Sequence, residues 1–513
     1  LTRYNLGPVE AFEIGKPAKA STACRDLVVV RRDDDVVVLD HDCQHLGAPL
    51  SEAIIEDGCL VCPWHRALIS LDDGTLREPP GCRHHRRYPV EIEAGEIFIE
   101  IDPGEPSYRP VQNPGTARSD QTHPRSIVIL GAGAAGMSAA LTLAEEGFTG
   151  DVTIISDESN FTFDRTKLSK GLLSEPDEAS FDALADLRED DLEYRHAKVR
   201  DLDTERRTLT FEDGTGLSAD AFILAPGSRA RTIDVQGSDK RGVLTLRSLD
   251  DARALANLAD DIRKAVIVGS GFIGMEAAAL LCGQDIDVEV VSKGEIPFSG
   301  LLGERLGRRL RREQEEAGIG FRTGSSIAEI TGEDRVEGVR LNDGTEIEAG
   351  MVLFAIGAEP RTDLLPSSWL GDDGSVKVDA GLRVEGAAGF FAAGDIASVP
   401  TRFGPVRSEH WRWAQQLGIR AARSALGLDP REDIAPFFWT KQQAPSSFVY
   451  VGHARSYDDI IYQGDPDGGE FIAFYITNGR CTAIFALGFT DEVSRLERRM
   501  AREGPLPEEG LTE

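Results

Sequence analysis

No run of side chains in this 513-residue chain approaches the roughly 20 consecutive apolar residues that a membrane-spanning helix needs. The N-terminus, Leu1-Thr-Arg-Tyr-Asn5, lacks the basic, apolar and small-residue order of a secretion signal, so a cytoplasmic protein with no membrane span is the expectation. Because the chain starts at Leu1, a trimmed segment or a non-standard start stays open. Positive charge is also scarce. With 56 Lys and Arg against 87 Asp and Glu the net charge is −31, which excludes unaided binding to a phosphate backbone and removes nucleic acid from the partners. Cysteine is sparse and odd in number: of seven, Cys24, Cys43, Cys59, Cys62 and Cys82 crowd the first 82 residues, leaving only Cys282 and Cys481 beyond. That excludes a disulfide scaffold and suggests a metal site. What remains is ordinary globular composition, 41% hydrophobic with 53 Gly and 25 Pro, at a length with room for about three to five domains.

Residues 1–104 read as a small all-β domain. Short apolar runs (Leu27–Val30, Val36–Leu39, Val90–Glu93, Ile97–Ile101) are separated by turns such as Asp33-Asp-Asp35 and Asp72-Asp-Gly74. Residues 105–124 are rich in Pro, Gly, Asn, Ser and Thr with no apolar period, a linker that as free coil would span roughly 25 Å. From Ser126 the pattern switches to β-runs feeding Ala-rich helices, the alternation of α/β units around a parallel sheet. One segment, Ile127 to Gly136, recurs as Val266 to Gly274, so two nucleotide-binding folds are expected. Beyond Arg431 aromatic and β-branched runs return, consistent with an α+β unit that ends in a charged helix near Ser494–Arg502.

Cys43-Gln-His45 and Cys62-Pro-Trp-His65 form a C-x-H, spacer, C-x-x-H pattern. Two thiolates and two imidazoles bind either a tetrahedral zinc or a Rieske 2Fe-2S cluster, and the spacing alone leaves both open. Gly47, Pro63-Trp64, the Asp72-Asp-Gly-Thr-Leu76 turn and Pro79-Pro-Gly81 around that pattern resemble the Rieske ferredoxin-like family over residues 1–104. The resemblance implies that Cys43 and Cys62 hold an inner iron and that His45 and His65 hold an outer one near the surface. High-potential members carry a further cysteine pair. Here Ala48 and Trp64 stand in that region, which implies a low-potential cluster. Arg66 stands where the family usually has Gly, and His41, Cys59, Cys82, His84 and His85 fit no ligand spacing.

Gly131, Gly133 and Gly136 follow an apolar strand and open a helix, the context in which G-x-G-x-x-G admits a tight turn, a pyrophosphate and close helix packing. About 20 residues on, Asp157, with Glu158 as the competing choice, can reach a ribose hydroxyl. Phe163-Asp-Arg-Thr-Lys-Leu-Ser-Lys170, Ile223-Leu-Ala-Pro-Gly227 and Phe390-Phe-Ala-Ala-Gly-Asp395 appear in that order around the second glycine motif. Together they resemble the two-dinucleotide flavoprotein reductases, namely the oxygenase-coupled ferredoxin reductases and the apoptosis-inducing-factor-like flavoproteins. The implied organisation is multidomain: the Rieske domain, an FAD-binding domain at 125–243 and 371–430, an NAD(P)H-binding domain at 244–370 and a C-terminal reductase domain at 431–513.

Carried over residue by residue, the resemblance puts FAD on the first glycine loop and Asp157. It places Arg165, Lys170, Val199, Arg231, Gly394 and Asp395 at further cofactor positions, with Trp411 and Trp439 near the isoalloxazine. Each tryptophan alone reads equally as core packing. The nicotinamide cofactor falls to Gly269, Gly271 and Gly274, with Ile273 and Gly357 as further cofactor positions. Glu276 pairs with Lys170 beside the flavin, these two being the catalytic candidates; as a lone residue Glu276 also reads as an exposed acid in the first turn of its helix. Pro226 replaces a threonine usual in the family. The strand Val288–Val291 ends in Ser292-Lys293, where NAD-selective relatives place a carboxylate; Lys293 can meet a 2′-phosphate and Glu295 can still serve NADH, so the coenzyme is NADH or NADPH. The redox cysteine pair of disulfide reductases is missing from Phe161–Lys170, and Cys282 and Cys481 read as packing residues.

The expected activity is therefore electron transfer from NAD(P)H through FAD to the Rieske cluster and on to a ferredoxin or oxygenase component. Two alternatives are a ferredoxin reductase whose Rieske domain only docks or regulates, and a redox-responsive signalling protein. The chain is expected as a monomer or homodimer. Its acidity repels acidic ferredoxins and favours an internal or a basic acceptor.

Overall fold

The computed structural model describes residues 1–111, 124–158, 163–170, 187, 192–430, 434–442 and 447–511. Its N-terminal part is all β. A four-stranded antiparallel sheet (Pro17–Ser21, Asp26–Arg31, Val36–Asp40, Arg87–Tyr88) is buried on both faces. Alternation along Asp26–Arg31 explains why: Val28 and Val30 face Leu60 and Ile69, while Leu27 and Val29 face Tyr88, Ile97 and Ile99. A second antiparallel sheet, Ile54–Glu56, Cys59–Val61, Leu68–Ser70 and Leu76–Glu78, carries one of the two Cys/His loops between its inner strands.

The expected linker begins later than residue 105. Tyr108–Arg109 pairs with His84–His85, the carbonyls of Glu105 and Pro106 accept hydrogen bonds from Arg25 and Arg86, and Val111 is buried in the core of the next unit. Residues 112–123 lie outside the described residues.

Two parallel sheets follow, each with a glycine loop at its centre. The first runs Glu193–His196, Asp151–Ser156, Ser126–Leu130, Ala221–Leu224, Phe390–Ala392. The second runs Val243–Leu244, Met351–Phe354, Lys264–Val268, Asp287–Val291, Gly320–Arg322. Their central strands are continuous apolar runs because both faces are covered, in the second sheet by Ala277 and Leu281 of a helix on one side and by Ile330, Val339 and Leu341 of a three-stranded antiparallel sheet on the other. The helix Ala134–Glu145 packs on Trp411–Ala425, so the first sheet gains a strand and a helix that lie far along the chain.

The C-terminal unit is an antiparallel sheet, Phe437–Thr440, Phe448–Gly452, Arg480–Leu487, Phe471–Thr477, Asp459–Gly464. Leu306 and Leu310 of the helix Glu304–Glu316 cover one face of it, and Val493, Leu496 and Met500 of the helix Thr490–Glu503 cover the other. The chain is thus multidomain, all-β and then α/β, with an α+β end. Among the described residues no helix is long and apolar enough to cross a membrane.

Candidate functional site

The two glycine loops are built alike. Gly131 and Gly269 turn at φ +107° and +109°, and a Cβ on either would collide with a carbonyl of the neighbouring strand end, Ala225 or Ala355. Gly136 and Gly274 lie against the carbonyls of Gly131 and Gly269, which is what brings helix onto strand. Gly133 and Gly271 face open space and cap the helices Ala134–Glu145 and Phe272–Cys282 without a side-chain hydrogen bond. Each helix therefore offers its first N–H groups to an anion.

The first loop opens a cavity of about 880 Å³ lined by Gly131, Gly133, Asp157, Glu158, Arg165, Lys170, Val199, Gly357, Gly394, Asp395, Trp411 and Trp439. Gly271, Ile273 and Glu276 reach the same cavity from the second unit, so of the expected nicotinamide glycines Gly271 borders the first cavity. Asp157 is held by Arg361 at 2.6 Å, a hydrogen bond that keeps its carboxyl below the usual range, while Glu158 pairs with Arg165 at 3.0 Å. Asp395 accepts from Ser228 Oγ at 2.6 Å and is bound by Arg247. Arg361, Ser228 and Arg247 were not legible as site residues, because each meets its partner across more than 100 residues of chain.

Glu276 is not the exposed acid of the simpler reading. It is buried and accepts four hydrogen bonds: Ser169 Oγ at 2.5 Å, Lys170 Nζ at 2.9 Å, Thr440 Oγ1 at 2.7 Å and the Lys441 N–H at 3.0 Å. His410 also lines the cavity, stacked on Phe438 with ring centroids 4.0 Å apart, and burial lowers its pKa to about 4.

Arg231, expected at the flavin, lines a second cavity of about 810 Å³ instead. The strand Ser228–Ala230 pairs with Ala358–Pro360, and this carries Arg231 past the first cavity to where its Nε donates to the Ala358 carbonyl. Gly269, Ser292, Lys293, Arg229 and Glu359 share that second cavity. Arg229 is tied to Glu359 and Asp363, Glu295 accepts from Thr323, and Lys293 is exposed.

The four Cys/His candidates come together as two pairs. Cys43 and Cys62 are buried side by side, close enough that a hydrogen bond between the two thiols raises the pKa of Cys43 and lowers that of Cys62. His45 Nδ1 and His65 Nδ1 converge at 3.1 Å. Among the described residues no three His, Cys, Asp or Glu side chains gather to hold a single ion. Two thiols on one side and two imidazoles on the other fit a two-iron cluster and do not fit a tetrahedral zinc.

The imidazoles are not near the surface, contrary to the sequence expectation. Their side chains are 7% and 5% exposed, because this end of the N-terminal domain is docked on the reductase part. His65 packs on Trp439 with centroids 4.2 Å apart, His45 lies 5.7 Å from the same ring, and Asp164 stands 3.9 Å from His45 Nε2. Trp439 is thus between the histidines and the large cavity, and the next residue, Thr440, holds Glu276. Polar contacts fix the docking. Arg412 donates to the Pro79 carbonyl at 2.8 Å and pairs with Glu497 at 2.9 Å, Gln416 donates to Glu78, and His84 meets Glu145 at 2.8 Å. Half-buried Cys82, whose thiol loses enough water to be pushed up to about 12, touches Met137.

Residues 125–418, more than half of the chain, match the family described as pyridine nucleotide-disulphide oxidoreductase. The chain belongs to the pyridine nucleotide-disulphide oxidoreductase family. Residues 2–89 match the Rieske [2Fe-2S] domain and 437–513 the reductase C-terminal domain. Apoptosis-inducing factor 3 of Mus musculus is 30% identical over 96% of this chain and 83% of its own length. The ferredoxin reductase component of the chlorobenzene dioxygenase of a Cupriavidus strain is 34% identical over 70% of this chain and 88% of its own length. The crystal structure of the ferredoxin reductase for the CYP199A2 system of Rhodopseudomonas palustris superposes with a TM-score of 0.70 at 26% identity, covering 76% of this chain and 97% of that one. This oxidoreductase is accordingly an FAD-dependent enzyme of the ferredoxin-reductase type, with FAD and NAD(P)H as its cofactors and a Rieske 2Fe-2S cluster on its N-terminal domain.

Proposed function

We propose that this oxidoreductase passes electrons from NAD(P)H through FAD to the Rieske cluster of its own chain, and from there to an external ferredoxin or oxygenase component. The observation that carries the reading is the position of Trp439, which touches His65 and lines the cavity of the first glycine loop at once. FAD, when bound, takes a hydride as two electrons and releases them singly, the form in which a 2Fe-2S cluster accepts them.

The chain's own residues bind, orient and shield. The uncapped helix starts at Gly133 and Gly271 would hold the two pyrophosphates, and Asp157 or Glu158 would accept from a ribose hydroxyl. Asp395, fixed by Ser228 and Arg247 at the cavity wall, would hold the ribityl end. The Lys170–Glu276 pair is a fixed charge pair at the cavity wall, and its four donors prevent Glu276 from turning away. Trp439 excludes water from the short gap between cavity and histidines. Names of relatives such as the benzene 1,2-dioxygenase system reductase support an oxygenase-linked acceptor, and the net charge of −31 favours a basic one.

Anaerobic titration of the holoenzyme with NADPH or NADH, without added acceptor, tests the relay. Bleaching of the flavin together with a Rieske-type electron paramagnetic resonance signal supports it. Full flavin reduction with the cluster still oxidised favours the reading in which the Rieske domain only docks.

A further inference from the structure

Arg66 follows His65 directly and adopts φ +63°, the left-handed region that favours glycine. Its side chain is among the most buried in the protein, at 2% exposure. One guanidinium N–H reaches the Pro63 carbonyl within the same loop, and Nε has no hydrogen-bond partner. The carboxylate whose field acts on it most strongly, Glu497, is already bound to Arg412 at 2.9 Å. Asp491 adds a weaker opposing charge, and Glu78, half-buried and bonded to Gln416, interacts with Arg412. The Arg66 guanidinium thus feels carboxylates behind the ligand loop but its side-chain hydrogen bond goes to a carbonyl.

Arg66 is built into the ligand loop itself: its backbone N–H donates to the Cys62 carbonyl at 3.1 Å and its guanidinium to the Pro63 carbonyl, so the cation is held beside two of the four ligands. Reduction of a 2Fe-2S cluster adds one electron and hence one negative charge at this spot. A cation held in a dry, low-dielectric setting stabilises that added charge far more than one in water does. An incompletely paired buried charge is costly to the fold, so packing alone is a poor account of an arginine where the backbone suits glycine.

We propose that Arg66 is a potential-setting residue: its buried guanidinium raises the reduction potential of the cluster held by Cys43, His45, Cys62 and His65, and so draws electrons from the reductase part onto the N-terminal domain. The inference rests on the relay described above. It opposes the low-potential expectation drawn from the missing cysteine pair.

A potentiometric titration of the holoenzyme, followed by the Rieske electron paramagnetic resonance signal, tests it. Arg66→Gln is expected to make the reduction equilibrium at least tenfold less favourable, about 59 mV lower for a one-electron couple. Arg66→Lys stays near the wild type, and Glu497→Gln, which removes the opposing carboxylate, moves the potential upward. An unchanged potential in Arg66→Gln with the signal intact overturns the proposal. If Arg66→Gln fails to take up the cluster, Glu497→Gln decides alone: an unchanged or lower potential overturns it equally. A wild-type protein with no Rieske signal on reduction would sink the underlying cluster reading, which these shifts cannot mimic.

Discussion

The imidazole of His65 and the indole of Trp439 lie with ring centroids 4.2 Å apart, tilted by 43°, across the boundary between the N-terminal domain and the reductase part. The two residues belong to units separated by both nucleotide-binding sheets in the chain. Their contact converts two separate redox modules into neighbours, and most of what can be tested follows from it.

Trp439→Ala opens the gap to water and lengthens the path between cavity and histidines. The step from NAD(P)H to FAD should be unchanged, whereas appearance of the Rieske signal should slow by about tenfold or more, the rate effect of roughly 1.4 kcal/mol. Rapid freeze-quench measurement of both steps checks this, and equal slowing of both would mean that Trp439 only holds the flavin cavity together.

Glu276 is buried with four donors aimed at it. Glu276→Ala strands the Lys170 ammonium and two hydroxyls, and losing one partner of a buried pair costs about 3–5 kcal/mol. Denaturant unfolding of the holoenzyme should show a loss on that scale, with Glu276→Gln milder because the amide oxygen still accepts from Thr440 and the Lys441 N–H.

Arg412 and Glu497 are each 1% exposed and paired at 2.9 Å, and Arg412 also holds the Pro79 carbonyl. Arg412→Leu takes away the hydrogen-bonded partner of Glu497 at the interface. We expect a separate low-temperature transition in calorimetry, for release of the N-terminal domain, and slower reduction of the cluster at unchanged flavin reduction. A single transition at the wild-type temperature would show that the interface does not depend on this pair.

Lys293 is exposed at the rim of the second cavity, with Ser292 and Arg231 beside it and Arg229 already spent on Glu359 and Asp363. Lys293→Glu should lower kcat/KM for NADPH by about tenfold relative to NADH, the size of one lost charged contact to a 2′-phosphate. Steady-state comparison of the two coenzymes settles it; an unaltered ratio would exclude Lys293 from coenzyme choice.

His85 is 1% exposed, and burial lowers its pKa to about 4 from an ordinary value of 6.5. The unfolded chain therefore binds this proton first as pH falls, so stability from the neutral imidazole is complete above about 6.5 and is lost between there and about 4. His85→Phe should flatten the fall in melting temperature between pH 7 and pH 5. An identical fall in both proteins would assign the acid sensitivity to other groups.

Local pattern carried much of this site. Cys43, His45, Cys62 and His65 announce themselves because ligands of one centre sit on two short loops, and Gly131 and Gly269 because only a residue without Cβ passes so close to a neighbouring carbonyl. The burial of the histidines was not legible, since it depends on Arg412, Gln416 and Glu497, which meet the N-terminal domain only through packing of distant segments. Arg231 misled for the opposite reason: it sits next to a strand that does border the flavin cavity, but one residue beyond the last paired position. Arg66 was visible as an oddity in sequence, and only burial gave it a meaning.

One measurement bears most directly on the relay. In a single-turnover experiment, holoenzyme reduced by less than one equivalent of NAD(P)H without acceptor is freeze-quenched over time. The account predicts a Rieske signal that grows as reduced flavin decays, at a rate independent of protein concentration, as transfer within one chain requires. Persistent reduced flavin with no such signal, or a rate that rises with concentration, would contradict it.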